Sequence, residues 1–516
     1  MIDNHYAEIR RHTFADVLRE HRRSRPQLVG SVDGDVVLTW PQLDARVNKL
    51  ANALIERGVV AGDRLLWVGQ NSFRLFELLL AGAKLGACTC PVNWRISAVE
   101  LTDVIDDFDP RVMFWQEQEI GAQYKDVVAA HAGKRVLCQH DLSGAGSYED
   151  WLANSVDTDP DIAVDPASPL LAIYTAAFAG RPNAALLSHD AMLLQSLVSA
   201  RGQAIFENSS YLVSGPMFHV GVLMGALATY LVGGKQIFVP RVDAREMADI
   251  IHTHRVTHAY IPQPTIMEFQ ALPDVTKYDF SCLYKDGDLK RWRGPMVMPE
   301  DSPMMSAVMG AYGQTEISGI SVCTWMGGTG AGRPNPFTQM RIVDDAGNEL
   351  PAGVTGEIAV RGAMVMNGYY NRDEENAART KDGWHLTRDL GKRNEDGSIV
   401  FVGPKTTMIK TGVENVYPAE VEACIARHPA VAFSCVIGVP DPKWDQNVKA
   451  LVVLKPGQSA SAEAIIEHCK SQMASYKKPK IVEFVAQLPR DNNGMIDRAA
   501  CDAAYGGGGY PNSGVK

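Results

Sequence analysis

Helical and strand-like hydrophobic patterns alternate along about the first 400 residues of the chain. Apolar residues recur at helical spacing over residues 43–58 and 73–86. Short apolar runs with the length and composition of buried strands lie at residues 64–70, 111–115, 236–240 and 258–263. Because such strands and helices alternate, the pattern predicts an α/β architecture with largely parallel sheets.

The hydrophobic pattern changes near residue 336. Short runs such as GEIAVRG (356–362) are now separated by Asp-Gly and Gly-Asn turns, which predicts a small antiparallel subdomain. Helical and strand-like segments of a compact α+β unit follow. We therefore expect a large N-terminal α/β domain over residues 1–403 and a small α+β domain over residues 404–516, with a hinge near residues 404–406.

Length and charge exclude several classes of protein. A chain of 516 residues is too long for one hydrophobic core, and its formal net charge of −10 argues against a general nucleic-acid-binding protein. The nine cysteines are scattered, which predicts reduced thiols and a cytoplasmic location. The apolar segment 220–234 is shorter than a membrane span, so we expect a buried helix and no membrane partner. A homodimer is the default expectation for oligomeric state.

The segment YTAAFAGRPNAALLSH (174–189) follows a strand-like run, and the sequence predicts a strand-to-helix turn there. Phosphate-binding loops occur at such places, and they use glycines, hydroxyl groups and a lysine. This segment keeps Gly180 but has alanines, Phe178 and Asn183 at other positions. Taken alone, it fits a damaged nucleotide site, a changed one, or no site.

Several other segments, taken in their order along the chain, give further evidence about its function. They are PMFHVGV (216–222), AYGQTEISG (311–319), GRP (332–334), GWHLTRDLG (383–391), MIKTGVENVYPAEVE (408–422) and SYKKPK (475–480). With these segments the chain resembles the adenylate-forming superfamily of acyl-CoA synthetases, luciferases and peptide-synthetase adenylation domains. The resemblance covers about residues 30–500. It implies a large domain that binds ATP and a carboxylic acid, and a small domain that swivels between adenylation and thioester formation.

The resemblance also implies an adenylate site. Tyr312 would lie against the adenine, Thr315 would bond the α-phosphate, and Asp389 would hold the ribose hydroxyls. Glu316 matches a Mg²⁺ ligand and His219 the lining of an acyl pocket. The nucleotide segment includes Gly313 and Gln314. The alternatives are a plain turn at YGQTE, a helix cap at Asp389 and a structural histidine at His219.

Other positions depart from the family pattern. Where the family has Thr-Ser-Gly-Thr-Thr-Gly-x-Pro-Lys-Gly, this chain has lost two glycines, three hydroxyls and the lysine, and it carries Ala177, Phe178 and Asn183. Met495 stands in place of the lysine that bridges the carboxylate and α-phosphate, and Pro404 in place of a hinge arginine. Loss of one such electrostatic group commonly costs about 10²–10³ in rate. We therefore expect that ATP and Mg²⁺ are not required.

The positions that serve thioester formation are retained. Gly412 leaves room for the pantetheine arm of CoA, and Glu414 belongs to the same loop. Lys477 and Lys478 are candidates for contact with CoA phosphates, although exposed lysines usually form only a solvated face. In the acyl wall HVGVLMGAL, the sequence predicts that two glycines make space for a bulky hydrophobic group; they are Gly221 and Gly225.

Three functions remain open. The leading hypothesis is a non-adenylating acyl-CoA ligase, which takes preformed acyl-AMP from a separate adenylating enzyme and converts it with CoA to acyl-CoA and AMP. The second is a complete ATP-dependent acid–CoA ligase with an atypical phosphate loop. The third is a catalytically dead homologue that binds adenylate or a partner protein. Retention of YGQTE and GVENVYP weighs against the third.

Overall fold

A computed structural model describes residues 5–175, 182–261, 263–283, 296–297, 312–327, 331–412, 414–490 and 496–509. The α-helices in these ranges are α1 (His5–Arg10), α2 (Phe14–Ser24), α3 (Trp40–Glu56), α4 (Phe73–Leu85), α5 (Ala98–Phe108), α6 (Gly121–His131), α7 (Tyr148–Ala153), α8 (His189–Gln203), α9 (Val220–Val232), α10 (Ala244–His254), α11 (Gln263–Gln270), α12 (Asp373–Ala378), α13 (Pro418–Ile425), α14 (Ala462–Gln472) and α15 (Arg498–Ala504).

The strands in the same ranges are β1 (Val29–Asp33), β2 (Val36–Thr39), β3 (Arg64–Val68), β4 (Cys88–Pro91), β5 (Val112–Trp115), β6 (Val136–Gln139), β7 (Pro169–Thr175), β8 (Asn183–Ser188), β9 (Ser210–Val213), β10 (Lys235–Phe238), β11 (His258–Tyr260), β12 (Met296–Val297), β13 (Tyr312–Gln314), β14 (Gly319–Gly327), β15 (Ala331–Pro334), β16 (Thr338–Val343), β17 (Thr355–Gly362), β18 (Thr380–Lys381), β19 (Trp384–Arg393), β20 (Ile399–Pro404), β21 (Ile409–Thr411), β22 (Glu414–Val416), β23 (Val431–Asp441), β24 (Asp445–Leu454) and β25 (Ile481–Phe484).

Two mixed sheets, mostly parallel, form the first part of the large domain. Their strand orders are β6-β5-β3-β4-β7-β8 and β12-β11-β9-β10-β1-β2. The helices between the strands cover the sheets; for example, α3 and α4 pack on each other in the same apolar cluster as β3. Helix α4 ends at Gly86, whose left-handed backbone (φ +69°) suits glycine. The predicted α/β fold class is confirmed.

The segment 176–181 connects two antiparallel strands, because β7 and β8 pair with Ile173 opposite Ala185. The prediction of a strand-to-helix turn at this place is therefore wrong, and the helix begins only at His189. Alanine and leucine favour a helix locally, but pairing with the edge of the sheet overrides that preference.

The first of the two later sheets is antiparallel, as the turn pattern after residue 336 predicts, and the second contains one parallel pair, β24 with β25. Strands β13 to β20 form one sheet, in which β19 pairs with both β17 and β20. The small-domain sheet has the order β22-β21-β24-β23, with β25 beside β24. Strand β20 ends at Pro404 and β21 begins at Ile409, so the connection between the two sheets is short.

The two domains are in contact through apolar side chains. Ala474 and Tyr476 of the small domain pack into the large-domain cluster that contains Val104 and Phe108 of α5. Tyr476 also packs against the small domain's own core. This packing brings the small domain against α5 of the large domain.

Across the residues that the structure describes, no helix is long and apolar enough to cross a membrane. The segment around α9 forms a buried helix, in agreement with the sequence prediction.

Candidate active site

A cavity of about 410 Å³ lies where the two domains meet. The large domain contributes the end of β7, Pro182 just before β8, the start of α9, the YGQTE segment and Asp389. The small domain contributes Met408, Lys410, Glu414, Asn415, Tyr417, Tyr476 and Lys477. The structure thus brings most of the sequence-predicted site residues to one cavity. Those that line it are His219, Gly221, Tyr312, Gly313, Gln314, Thr315, Glu316, Asp389, Pro404, Glu414 and Lys477.

Asp389 accepts two hydrogen bonds from the YGQTE segment. The Tyr312 hydroxyl donates to Oδ2 over 2.9 Å, and the Gln314 amide donates to the same oxygen over 3.0 Å. Burial raises the pKa of Asp389 to about 7, partly offset by these donors. The Tyr312 ring stacks on Phe401 with centroids 5.4 Å apart. An aromatic face and a rigid carboxylate therefore lie together, which suits a base and a ribose diol.

Glu316 is buried and has a fixed partner. Its Oε1 accepts a hydrogen bond of 2.6 Å from the Tyr369 hydroxyl, and the charge of Arg379 is close by. Within the described ranges, no cluster of three or more His, Cys, Asp or Glu residues has the arrangement of a metal site. A Mg²⁺ ion at Glu316 would thus need its remaining ligands from a nucleotide or from water.

Asn183, at the position of the family's loop lysine, begins β8 directly after Pro182, which lines the cavity. Its Oδ1 accepts a hydrogen bond of 2.9 Å from Arg372, which also donates to the Pro182 carbonyl over 3.2 Å. The same guanidinium forms an ion pair of 2.8 Å with Asp107. Arg372 is thus paired with Asp107, and it holds the Asn183 side chain outside the cavity lining.

Two predicted positions of the same region, Ala177 and Phe178, lie outside the described residues, as does Met495. The flanks of residue 495 are informative, because Arg490 and Ile496 form an isolated bridge. Ile496 packs in a cluster with Cys435 on the sheet face opposite Val436 and the small-domain core. Residues 490 and 496 are therefore away from the cavity in this conformation.

Pro404 pairs with Asp389 across β20 and β19 and lines the cavity. Proline has no side-chain donor, so the structure places an apolar ring where the resemblance implies an arginine near the ribose.

His219 caps helix α9 at the start of the acyl wall. Its Nδ1 accepts a hydrogen bond of 3.2 Å from the Gly221 amide. Burial lowers the pKa of His219 to about 4, so the imidazole is neutral at pH 7. Gly221 lines the cavity, where an added Cβ would meet only the His219 ring, at 3.3 Å. A neutral ring and a small neighbour therefore form this part of the wall.

Gly225 does not open space for an acyl group, contrary to the sequence prediction. Its missing side chain makes room for Tyr211 of β9, whose phenol ring an added Cβ would overlap. Helical spacing places Gly225 one turn beyond Gly221, but the turn faces a buried strand rather than the cavity.

We expect Gly225→Ala to lower the free energy of unfolding by about 1–3 kcal/mol, because the core around Tyr211 has no room for a methyl group. Urea unfolding measures this change, with Gly221→Ala as the matched control of near wild-type stability. A stable Gly225→Ala variant with altered acyl preference would contradict this assignment.

The hairpin β21–β22 contributes Lys410, Glu414 and Asn415 to the small domain's side of the cavity. Gly412 sits at its turn with φ +60°, and its amide donates to the Trp444 carbonyl over 2.7 Å. Glu414 is half-buried, with one oxygen 3.6 Å from Arg95 of the large domain. Burial raises the pKa of Glu414, and the charges of Arg95 and Lys410 oppose that shift. The retained loop thus meets the large domain through a charged contact.

Lys477 occupies a different environment from the exposed one that contact with CoA phosphates suggests. Its ammonium is 4% exposed and lies 2.8 Å from Glu100 of α5 and 2.7 Å from Glu420 of α13. It therefore forms an ion pair across the domain contact in this conformation. Lys478 is half-buried and is not part of the cavity wall.

Sequence reasoning missed Lys410 and Asn415, which line the cavity from opposite strands of the hairpin. The alternation of side chains along the MIKTG segment could have identified Lys410 as a residue that faces away from the core. Ile409 is an apolar residue that must face the small-domain core, and Lys410 must then face the other side.

Residues 14–370 match the family described as AMP-binding enzyme, and residues 420–495 match the AMP-binding enzyme C-terminal domain. The chain therefore belongs to the AMP-binding enzyme family, which confirms the resemblance to adenylate-forming enzymes. It is 32% identical to an indoleacetate–CoA ligase of Aromatoleum aromaticum, over 89% of this chain and 91% of that protein. It is 30% identical to a fatty acid–[acyl-carrier-protein] ligase of Streptomyces coeruleorubidus, over 89% and 90% of the two chains.

Among solved structures, a double mutant of o-succinylbenzoate CoA synthetase from Bacillus subtilis, bound to a product analogue, has a TM-score of 0.76 with 22% identity. The match covers 94% of this chain and 97% of that one. At this identity the likeness establishes the shared fold.

Proposed function

We propose that the protein is an acyl-CoA ligase-type enzyme that performs thioester formation from acyl-AMP and CoA, and that adenylation from ATP is largely lost. The observation that carries the proposal is the shared cavity. Asp389 and Tyr312, suited to an adenylate, face the same space as Glu414 of the small-domain hairpin.

Thioester formation mainly requires that the enzyme position two groups that are already reactive, and these residues can do so. The carbonyl carbon of an acyl-AMP is already activated, and a CoA thiol is a good nucleophile, so the enzyme mainly positions the two. Tyr312 and Asp389 would hold the nucleotide, and His219 and Gly221 would contact the acyl group. Gly412, whose φ of +60° disfavours side chains, keeps the hairpin turn slender beside the path of the pantetheine arm.

Two positions, Asn183 and Met495, support the loss of adenylation. Asn183 is uncharged, accepts a hydrogen bond from Arg372 and lies outside the cavity lining, so it supplies no cation at the position of the family's loop lysine. Met495 has no charge to offer at the position of the family's bridging lysine. The protein would then take its acyl-AMP from a separate adenylating enzyme and would need neither ATP nor Mg²⁺.

A complete ATP-dependent ligase is the second candidate. It is favoured by the printed name of the relative that is 32% identical, a CoA ligase acting on indoleacetate. The relative named for an acyl-carrier protein suggests that the acceptor thiol also varies within the family.

Comparison of two reaction mixtures separates the candidates. Purified protein receives either acid, ATP, Mg²⁺ and CoA, or synthetic acyl-AMP and CoA, with indoleacetyl and dodecanoyl groups as probes. We expect acyl-CoA from the second mixture only. Similar rates from both mixtures would establish the complete ligase instead, and no product from either would favour an inactive homologue.

We expect Met495→Lys alone to leave ATP-dependent product formation low, because the degraded loop still lacks its pyrophosphate contacts. Pyrophosphate release from the acid and ATP measures the effect. Brisk release by this single variant would show that residues 175–184 matter less than proposed.

A further inference from the structure

Arg379 is a buried arginine of the large domain that directly follows helix α12. Its side chain is 2% exposed, and it is not part of the cavity wall. Arginine is among the residues that proteins bury least often, and a buried charge is costly unless it is paired and hydrogen-bonded. The contacts of its guanidinium therefore indicate what this charge does in the molecule.

The guanidinium braces the strand that carries Asp389. Its Nη1 donates a hydrogen bond of 3.2 Å to the Thr387 carbonyl, and the Gln314 amide donates to the same carbonyl over 3.2 Å. Gln314 also donates to the Asp389 carboxylate, and the Asp389 backbone amide donates to the Thr387 hydroxyl over 3.2 Å. Arg379 thus supports the part of β19 from which Asp389 lines the cavity.

The same guanidinium lies close to Glu316. Its Cζ is 5.7 Å from the centroid of the Tyr369 ring, whose hydroxyl donates to Glu316 over 2.6 Å. Burial lowers the pKa of Arg379, but the acidic groups around it, Tyr369, Glu316 and Glu375, outweigh burial and give a net rise. The charges of Arg379 and Glu316 therefore stabilise each other beside the Tyr369 ring.

Glu375 does not cancel the charge of Arg379 alone. One of its carboxylate oxygens lies 2.9 Å from Arg379 and 3.1 Å from Arg388. Because two guanidinium groups share one carboxylate, the three residues together carry a net positive charge. The positive charge of Arg379 acts on both Glu316 and Asp389.

The large-domain wall of the cavity has an excess of acidic groups. Among the described large-domain residues that line it, three are Asp or Glu and none is Lys or Arg; the three are Glu100, Glu316 and Asp389. Glu100 is paired with Lys477. A phosphate held at Thr315 would therefore meet the acidic side chains of Glu316 and Asp389, and like charges at short range repel strongly where water is excluded.

We propose that Arg379 is a positioning residue of the adenylate site, which braces Asp389 and balances the charge of Glu316 so that a nucleotide phosphate binds without a divalent cation. This inference rests on the proposed function. Glu316 matches the family's Mg²⁺ ligand, but it fits a metal ion poorly here. Its Oε1 already accepts the hydrogen bond from Tyr369, and Arg379 supplies a positive charge nearby.

Calorimetric titration of the full chain with AMP and with adenosine tests this role, in buffer that contains either EDTA or excess Mg²⁺. We expect wild type to bind AMP with Kd values within about twofold in the two buffers. Arg379→Met should raise the Kd for AMP in EDTA by about tenfold or more, because the phosphate then meets an unbalanced carboxylate. The Kd for adenosine should rise by at most about threefold, since adenosine has no phosphate and senses only the loosened Asp389.

A second substitution separates the charge of Arg379 from its packing. Glu316→Gln in the Arg379→Met background removes the charge that Arg379 balances, so the Kd for AMP in EDTA should return to within about threefold of wild type. A purely structural role of Arg379 would not be rescued in this way. Arg379→Lys keeps the charge and should bind AMP at least about threefold more tightly than Arg379→Met.

Arg245→Met is the matched control, because it removes an arginine from an exposed ion pair with Asp274 in the same domain. The thermal midpoints of all variants report folding, and Arg379→Gln provides a second neutral replacement if Arg379→Met is unstable. The comparison of EDTA with Mg²⁺ needs only the wild-type protein, so it tests the inference whatever the stability of the variants.

Several results would overturn the inference. They are a wild-type Kd for AMP at least about tenfold higher in EDTA than in Mg²⁺, a folded uncharged variant that binds AMP within about twofold of wild type, and an equal loss of AMP and adenosine binding that Glu316→Gln does not rescue. If wild type binds no AMP, the proposed function fails and the inference fails with it. If wild type binds AMP as expected but transfers no acyl group to CoA, the proposed function alone fails.

Discussion

Replacement of Lys477 by methionine is expected to destabilise the docked small domain by about 2–4 kcal/mol, because it leaves two half-buried carboxylates without their cation. Glu100 belongs to the large domain and Glu420 to the small one, so the repulsion acts directly across the contact. Acyl transfer should fall by about 10²-fold, since each 1.4 kcal/mol is a factor of ten in an equilibrium. The transfer rate, together with protease cleavage in the connection 405–408, measures both effects.

The remaining charges provide the control. Removing them with Glu100→Gln and Glu420→Gln in the Lys477→Met background should restore part of the docking, because neutral amides can bond each other. Lys470→Met, at an exposed ion pair, should change neither readout. Wild-type protease resistance in the Lys477→Met variant would show that this ion pair does not hold the domains.

We expect the replacement of Asp389 by asparagine to raise the stability of the empty protein and to weaken its binding of AMP. Burial raises the pKa of Asp389 from 3.8 to about 7, so between these values the folded protein retains a proton that the unfolded chain releases. The cost of the buried charge therefore grows as pH rises from 4 and is complete above pH 7. At pH 8 the empty Asp389→Asn variant should be more stable than wild type by about 1–3 kcal/mol.

The same substitution should weaken AMP binding, because an amide replaces the charged acceptor that would hold the ribose hydroxyls. Urea unfolding at pH 4.5 and pH 8 measures the stability difference, which should be small at the lower pH. Calorimetric titration with AMP measures the binding. A variant that is less stable at pH 8, or that binds AMP as tightly as wild type, would contradict the assignment of Asp389.

The main features of the fold could be predicted from the sequence, because the spacing of apolar residues shows which face of a helix or strand is buried. The run at 64–70 corresponds to β3, and the pattern at 73–86 corresponds to α4 with its glycine stop. Strand β8 could not be predicted in this way, because its alanines and leucines become a strand only through pairing with β7.

The candidate site, like the fold, could be predicted from the sequence only in part. The YGQTE segment and Asp389 were accessible because the resemblance carries them, and the structure brings them within hydrogen-bond distance. The Lys477–Glu100 pair joins residues 377 positions apart, and no local pattern reports such a contact. Gly225 was misassigned because helical spacing gives a face but does not say whether that face meets a cavity or Tyr211.

The most direct test of the central claim is to measure both half-reactions on one preparation under single-turnover conditions. Acyl-AMP formation from acid and ATP is followed by pyrophosphate release, and acyl-CoA formation is followed from synthetic acyl-AMP and CoA. We expect the rate constant of transfer to exceed that of adenylation by about 10²-fold or more. The reason is that residue 495 has no charge and the phosphate loop lacks the family's lysine and most of its glycines and hydroxyls. Adenylation as fast as transfer would contradict the account.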